Sequence, residues 1–155
     1  MEPFAWHEWP QVGVPRLDAQ HRQLVVRVHR LDMAVKANDG VRELRTLAAE
    51  LTLQTRLHFL DEEMIMEGAQ YPALAEHRFR HAEFTEGLLR LQKQLKFNRA
   101  DHFRQIVRYE LEWITKHLED SDEAFGAWLK KTGGIAAAIG NDGEVPFWQA
   151  TSSTP

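Results

Sequence analysis

Apolar side chains recur along this chain at alternating intervals of three and four residues, in four successive segments. This spacing places them on one face of an α-helix, which has 3.6 residues per turn. No segment shows the two-residue alternation that is typical of a β-strand. Short connections between amphipathic helices favour an all-α, up-down-up-down four-helix bundle. The predicted helices run over about residues 17–37, 41–67, 72–97 and, beginning at 99 or 101, to 119.

The N-terminal residues are predicted to form an extended arm over residues 1–17. Pro and Gly recur there at positions 3, 10, 13 and 15, which breaks any helical pattern. We expect Trp6 and Trp9 to pack across the bundle. Asp18 is predicted to be the N-cap of the first helix, because Asp is a favoured residue at that position.

The C-terminal part is predicted to contain one short helix, from about Asp122 to Lys131. Gly133 and Gly134 should end it. Small and polar residues dominate from 135 to 155, and this segment is predicted to be a tail. We therefore expect one domain over residues 1–134, followed by the tail over residues 135–155.

Composition narrows the class of protein. The chain has 155 residues, of which 43% are hydrophobic and 27% charged, as in globular domains. Its net charge of -4 indicates no binding of nucleic acid. We see no signal peptide and no apolar stretch long enough for membrane insertion, so a cytoplasmic location is expected. Cysteine is absent, so any transition-metal site must use imidazole and carboxylate, which suit iron, zinc, manganese or copper.

Six polar residues interrupt the apolar helix faces. Burying one such group without a partner costs about 1–3 kcal/mol. A single histidine at an apolar position is more often a hydrogen-bonded core residue than a metal ligand. Six in one small core should compensate one another, and a metal centre does so compactly. They are His21, His58, Glu62, His77, His81 and His117.

The spacing of these residues supports a shared site. His58 and Glu62 are four residues apart, as are His77 and His81, so each pair lies one turn apart on one helix face. Asp122 follows His117 by five residues, and a regular helix would turn it to another face. We therefore predict irregular helix near residues 118–121. Asp120 is the alternative to Asp122 as the carboxylate of the shared site.

Four stretches of the sequence resemble bacterial members of the hemerythrin family, the bacteriohemerythrins. The resemblance extends from about Trp9 to Lys131 and fills all seven ligand positions of the family. The stretches are Leu17-Asp18-Ala19-Gln20-His21, His58-Phe59-Leu60-Asp61-Glu62-Glu63, His77-Arg78-Phe79-Arg80-His81 and, before Asp122, Trp113-Ile114-Thr115-Lys116-His117-Leu118.

The resemblance implies a non-haem di-iron centre. His77, His81 and His117 would bind one iron, and His21 and His58 the other. Glu62 and Asp122 would bridge both ions, together with an oxo or hydroxo group. The iron with two histidines keeps an open position, where dioxygen would bind. The residues expected to line a dry, apolar oxygen pocket are Phe59, Trp113, Ile114 and Leu118.

The expected function is reversible dioxygen binding for transport, storage or delivery, without enzymatic activity. We expect a monomer that delivers dioxygen to an oxygenase or a respiratory enzyme. Two alternatives remain: an oxygen or redox sensor acting through a partner, and a peroxide-handling di-iron enzyme. Glu110 would favour the enzyme if it lies in the pocket, since it would offer a proton donor. His29 is predicted to lie on the His21 face, in a structural role or as a hydrogen-bond partner near the site.

Overall fold

Four long helices make up most of the protein in a computed structural model, which describes residues 11–96 and 100–134. This part of the chain contains no strand, and the predicted all-α bundle is confirmed. A π-helical segment and a short helix follow the fourth helix. The elements are α1 (Pro15–Lys36), α2 (Val41–Gly68), α3 (Leu74–Lys96), α4 (Ala100–His117), the π-helical segment (Leu118–Asp122) and α5 (Glu123–Thr132).

The four helices form a ring of neighbours. α1 packs against α2 and α4, and α3 packs against the same two helices. Their apolar faces meet in one long core, in which residues such as Leu24, Leu51, Leu88 and Val107 are 2% exposed or less. Burial of each large apolar side chain stabilises the fold by about 1.5–3 kcal/mol. No helix in the described ranges is long and apolar enough to cross a membrane.

The start of α1 differs from the prediction. The helix begins at Pro15, so the extended arm ends before residue 17, and Val14 rather than Asp18 is the N-cap. Proline suits the first turn because its φ is already helical and it has no N–H to leave unpaired. Asp18 lies inside this turn, where its carboxylate accepts hydrogen bonds from the N–H groups of Val12 at 2.8 Å and Gly13 at 3.2 Å. Trp6, Trp9 and the predicted tail lie outside the described residues.

A second, smaller core closes one end of the bundle. It joins residues before α1 to the end of α2 and to α5, and consists of Val12, Val14, Leu17, Met66, Phe125 and Leu129. Gly126 is required there by close packing, since a Cβ atom on it would lie 2.7 Å from the Cα atom and carbonyl oxygen of Val12. The segment before α1 and the short helix α5 are thus in direct contact.

The predicted irregularity after His117 is confirmed. Residues Leu118–Asp122 form π-helix, in which hydrogen bonds span five residues instead of four. Five residues therefore make about one turn, and Asp122 returns to the face that carries His117. The Nε2 atom of His117 lies 3.1 Å from Oδ1 of Asp122. Asp120 lies exposed on the same segment, so Asp122 is the carboxylate that points inward.

Candidate metal centre

Five histidines and two carboxylates meet inside the bundle, near the end that the smaller core closes. α1 and α4 contribute one histidine each, α2 a histidine and a glutamate, α3 two histidines, and the π-helical segment an aspartate. Each side chain is almost fully buried, with an exposed fraction of 5% or less. The convergent residues are the seven predicted from the sequence: His21, His58, Glu62, His77, His81, His117 and Asp122.

The seven side chains divide into two groups that share both carboxylates. Within each group the potential ligand atoms all lie within 4.8 Å of one another. One group contains three histidines and the other contains two, so the centre is asymmetric. The members are His77, His81 and His117 in the first group and His21 and His58 in the second, each with Glu62 and Asp122.

Each carboxylate turns one oxygen to each group. Oε2 of Glu62 lies 3.0 Å from Nε2 of His77, while Oε1 lies 3.8 Å from Nε2 of His21. Oδ1 of Asp122 lies 3.4 Å from Nε2 of His77, and Oδ2 lies 3.4 Å from Nε2 of His21. Carboxylates in this orientation are suited to bridge two neighbouring cations.

Hydrogen bonds behind two of the rings fix their orientation. Nδ1 of His58 donates to Oε1 of Gln20 at 2.9 Å, and the amide of Gln20 donates to Asp61 at 2.7 Å. Nδ1 of His81 donates to Oε1 of Glu63 at 2.8 Å. In the neutral form of each ring, which is the form that binds a metal, a proton held on Nδ1 leaves the Nε2 lone pair facing the centre.

These outer partners were missed in the sequence. Asp61 and Glu63 have the spacing of ordinary charges on a helix surface, but each is partly buried and bonded toward the centre. They flank Glu62 at the border between the apolar and polar faces of α2. That position was the only available signal, because Gln20 and His81, with which they pair, lie on other helices.

Burial controls the charges of the ligand side chains. It lowers the pKa of His58 and His117 well below the usual value of 6.5, so both rings are neutral at pH 7. Burial works against ionisation of Glu62 too, but hydrogen bonds from His77 and His81 outweigh it and hold the pKa of Glu62 well below its usual value. Burial and the nearby charge of Glu62 raise the pKa of Asp122 well above its usual value.

Unpaired atoms in the centre fit a pair of cations. Oε1 of Glu62 and both carboxylate oxygens of Asp122 are buried without a hydrogen-bond partner. The Nε2 atoms of His81 and His117 lie only 3.1 Å apart, as do those of His21 and His58. Buried lone pairs and unpaired oxygens in such proximity are costly. Metal cations bound between them would compensate all of these groups, and nitrogen and oxygen donors without thiolate suit iron.

An aromatic layer covers the three-histidine group. The ring of Phe59 stacks on His81 at 3.6 Å between centroids, and Trp113 stacks on His117 at 4.4 Å. Phe84 stacks in turn on Trp113 at 4.5 Å. Of the four residues predicted to line an oxygen pocket, Phe59 and Trp113 thus contact this half of the centre. Ile114 and Leu118 are buried in the adjoining core, and the pocket itself stays a prediction.

Water has unequal access to the two halves. A cavity of about 160 Å³ reaches His77 from the surface, between Tyr71, Arg80 and Ser121. A crevice beside Gln20 reaches His58 but has no room for a water molecule. In the described part of the chain, the two-histidine half is therefore the drier side of the two.

Two other sequence candidates lie away from the centre. His29 is exposed, so the expectation that it shares the buried face of His21 is wrong. Glu110 is 1% exposed and lies against Gly87 of α3, two helical turns before His117. Burial raises the pKa of Glu110 to about 8, and Arg90 opposes this only in part. Glu110 is therefore mostly a neutral acid at pH 7.

Comparison with known proteins points to one family. The model of the hemerythrin HHE cation binding domain matches residues 12–129. A bacteriohemerythrin of Stenotrophomonas maltophilia (strain R551-3) is 25% identical over 131 residues, which cover 84% of each chain. A myohemerythrin of Theromyzon tessulatum is 26% identical over 121 residues, covering 78% of this chain and 89% of the other. A wild-type hemerythrin crystal structure shares the fold with a TM-score of 0.72 and 22% identity, covering 82% of this chain and 96% of the other.

The hydrogen bond behind His81 should matter for metal binding. Replacing Glu63→Ala frees the ring to rotate, and we expect the metal affinity to fall about 10- to 100-fold. Competition with a chelator measures this affinity. Glu67→Ala is the matched control, because both glutamates bind Arg78 but only Glu63 binds His81. An equal loss in both variants would contradict the orienting role.

The buried acid should make stability depend on pH. Between pH 4.5 and about 8 the unfolded chain releases the Glu110 proton while the folded chain keeps it, so stability falls as pH rises through this window. In Glu110→Gln this contribution is absent. The free energy of unfolding of the variant, relative to that of wild type, should therefore rise by about 3 kcal/mol between pH 5 and pH 8. Urea unfolding at each pH measures it. A constant difference across that range would show that Glu110 ionises normally.

Proposed function

Since this chain belongs to the hemerythrin family, we propose that it binds dioxygen reversibly at a non-haem di-iron centre built from its seven convergent side chains. One observation carries the assignment to these residues: Glu62 and Asp122 each turn one oxygen to a group of three histidines and one to a group of two. Such a site is suited to two neighbouring ions that share both carboxylates and differ in their number of histidine ligands.

The ligand assignment follows from these groups. His77, His81 and His117 would hold one iron, and His21 and His58 the other. With both carboxylates shared, the first ion would have one protein ligand more than the second. The position left free on the second ion is where an exogenous ligand would enter.

The iron pair, when bound, supplies the electrons and the free coordination position for dioxygen. The protein side chains set the charge of the centre. The neutral rings of His58 and His117 bring no charge to the centre, so the two carboxylates are its main anionic groups. Carboxylate-rich di-iron sites of helical bundles use four glutamates and fewer histidines. Because this centre has more histidines and fewer carboxylates than those sites, we assign it a binding role rather than oxidative catalysis.

The dry surroundings of the two-histidine half support reversibility. The crevice at His58 admits no water, and Leu24, which borders it, is 2% exposed. Exclusion of water withholds the protons that would turn bound dioxygen into released peroxide. Glu110 does not supply this proton donor in the pocket, because its carboxylate lies against Gly87. The sensor and peroxide-handling alternatives therefore gain no support.

In the cell, we propose transport, storage or delivery of dioxygen, without enzymatic turnover. The chain would act as a monomer in the cytoplasm and hand dioxygen to an oxygenase or a respiratory enzyme. These finer assignments rest on the proposed chemistry of the centre, since the family fixes dioxygen as the ligand but no recipient.

Reversible binding can be tested directly by spectroscopy. Protein loaded with iron and reduced without air should change its absorption on exposure to air, keep the new spectrum for minutes, and recover the original one under argon. Immediate and irreversible oxidation would contradict the carrier function. Metal analysis should give two irons per chain, and a single zinc would overturn the di-iron assignment.

The ligand assignment predicts different outcomes for two histidine variants. His117→Ala removes a buried ligand and should reduce iron content to one ion or none per chain. His29→Ala is the matched control on an exposed position and should keep both ions. Iron content after gel filtration, measured by elemental analysis, separates these outcomes. Full iron content in His117→Ala would contradict the assignment.

A further inference from the structure

Glu110 is an unexplained polar group in the core of the bundle. Its side chain is 1% exposed, and neither carboxylate oxygen has a hydrogen-bond partner. Buried polar groups without partners are rare in folded proteins, and each requires an explanation. α4 otherwise presents apolar side chains to the core along this face, such as Phe103, Val107 and Ile114.

The opposite helix is built to receive this carboxyl group. Gly87 on α3 is the residue that faces it, and a Cβ atom there would overlap the Oε1 atom of Glu110. The glycine is needed for space rather than for backbone conformation, since it lies inside a regular helix. Glu110 and Gly87 together form a recess across the interface between α3 and α4, which we name the Glu110 recess.

The recess contains little other charge. Arg90, on α3, is the one charged side chain among the described residues that acts on Glu110, and it is exposed and paired with Glu86 at 3.2 Å. α1 also packs against α4, and the residues of its second half that belong to the shared core, such as Val28 and Leu31, are apolar. Burial therefore dominates and keeps Glu110 protonated at pH 7.

The recess is close enough to the metal centre to respond to its charge. Seven residues of α4 separate Glu110 from His117, a rise of about 10 Å. Trp113 lies between them in the helix and stacks on the His117 ring. At this distance inside a protein, one added unit charge changes an acid dissociation constant about tenfold. Because burial raises the pKa of Glu110 into the range around neutral pH, such a change alters its protonation there.

We propose that Glu110 is a proton site linked to the charge of the di-iron centre. Its carboxyl group holds a proton while the centre is reduced. When the centre loses one electron to an external one-electron oxidant, the O–H bond of Glu110 breaks and the proton passes to bulk water. One positive and one negative charge thus leave the interior together, and the core keeps its net charge. This inference rests on the proposed di-iron function.

Infrared difference spectroscopy tests the proposal on the carboxyl group itself. Iron-loaded wild-type protein should show the C=O band of a protonated carboxylic acid when reduced and lose part of it on oxidation by ferricyanide. Labelling of glutamate with carbon-13 should shift this band, which separates it from Asp122. Glu110→Gln should lack the change. A wild-type spectrum without a glutamate band that responds to oxidation overturns the proposal, whether or not the variant folds.

The reduction potential provides a second readout, which a purely structural role would not alter. In wild type the potential should fall with rising pH around neutrality, and Glu110→Gln should show a smaller slope. Glu112→Gln, an exposed position on the same helix, is the control and should behave as wild type. Equal slopes in wild type and Glu110→Gln overturn the proposal. Failure to bind two irons would instead refute the function on which it rests, so the two failures are distinguishable.

Discussion

The mutual repulsion of buried lone pairs and carboxylate oxygens is the constraint on which the rest of this structure depends. Glu62 is held ionised beside Asp122, whose pKa burial and the charge of Glu62 raise well above its usual value, while histidine nitrogens face one another at 3.1 Å. An apolar core tolerates such a collection only when cations bind it together. The hydrogen bonds of Gln20 and Glu63 strengthen this dependence, because they fix the rings with their lone pairs inward.

Helix geometry delivers the donors to this point with little distortion. Four-residue spacing on α2 and α3 sets two ligands on one face of each helix, as any regular helix would. The exception is Asp122, which reaches the centre only because the chain widens to π-helix after His117. Wider turns of this kind are rare in α-helices and are often found at functional sites. The irregular element is therefore local, and the remaining bundle stays regular.

The sequence reveals the donors but not their supporting contacts, and the reason is physical. A polar residue on an apolar face is visible from the pattern of its own helix, so His21, His58 and His77 can be identified from the sequence alone. The bond between Glu63 and His81 joins different helices, and a partly buried glutamate resembles a surface charge until its neighbour is known. The start of α1 was misplaced for a related reason: Asp18 suits an N-cap, but Pro15 suits the first turn equally well and lies earlier. The depth of Glu110 likewise depends on Gly87, on another helix.

The close packing of Gly126 against Val12 has a consequence for synthesis of the protein on the ribosome. It joins two segments that lie more than a hundred residues apart in the sequence, so the first is synthesised well before the second. A nascent chain that exposes only the first three helices already carries five of the seven donors, but lacks His117 and Asp122. The contact between Gly126 and Val12 can therefore form only after all seven donors have been synthesised.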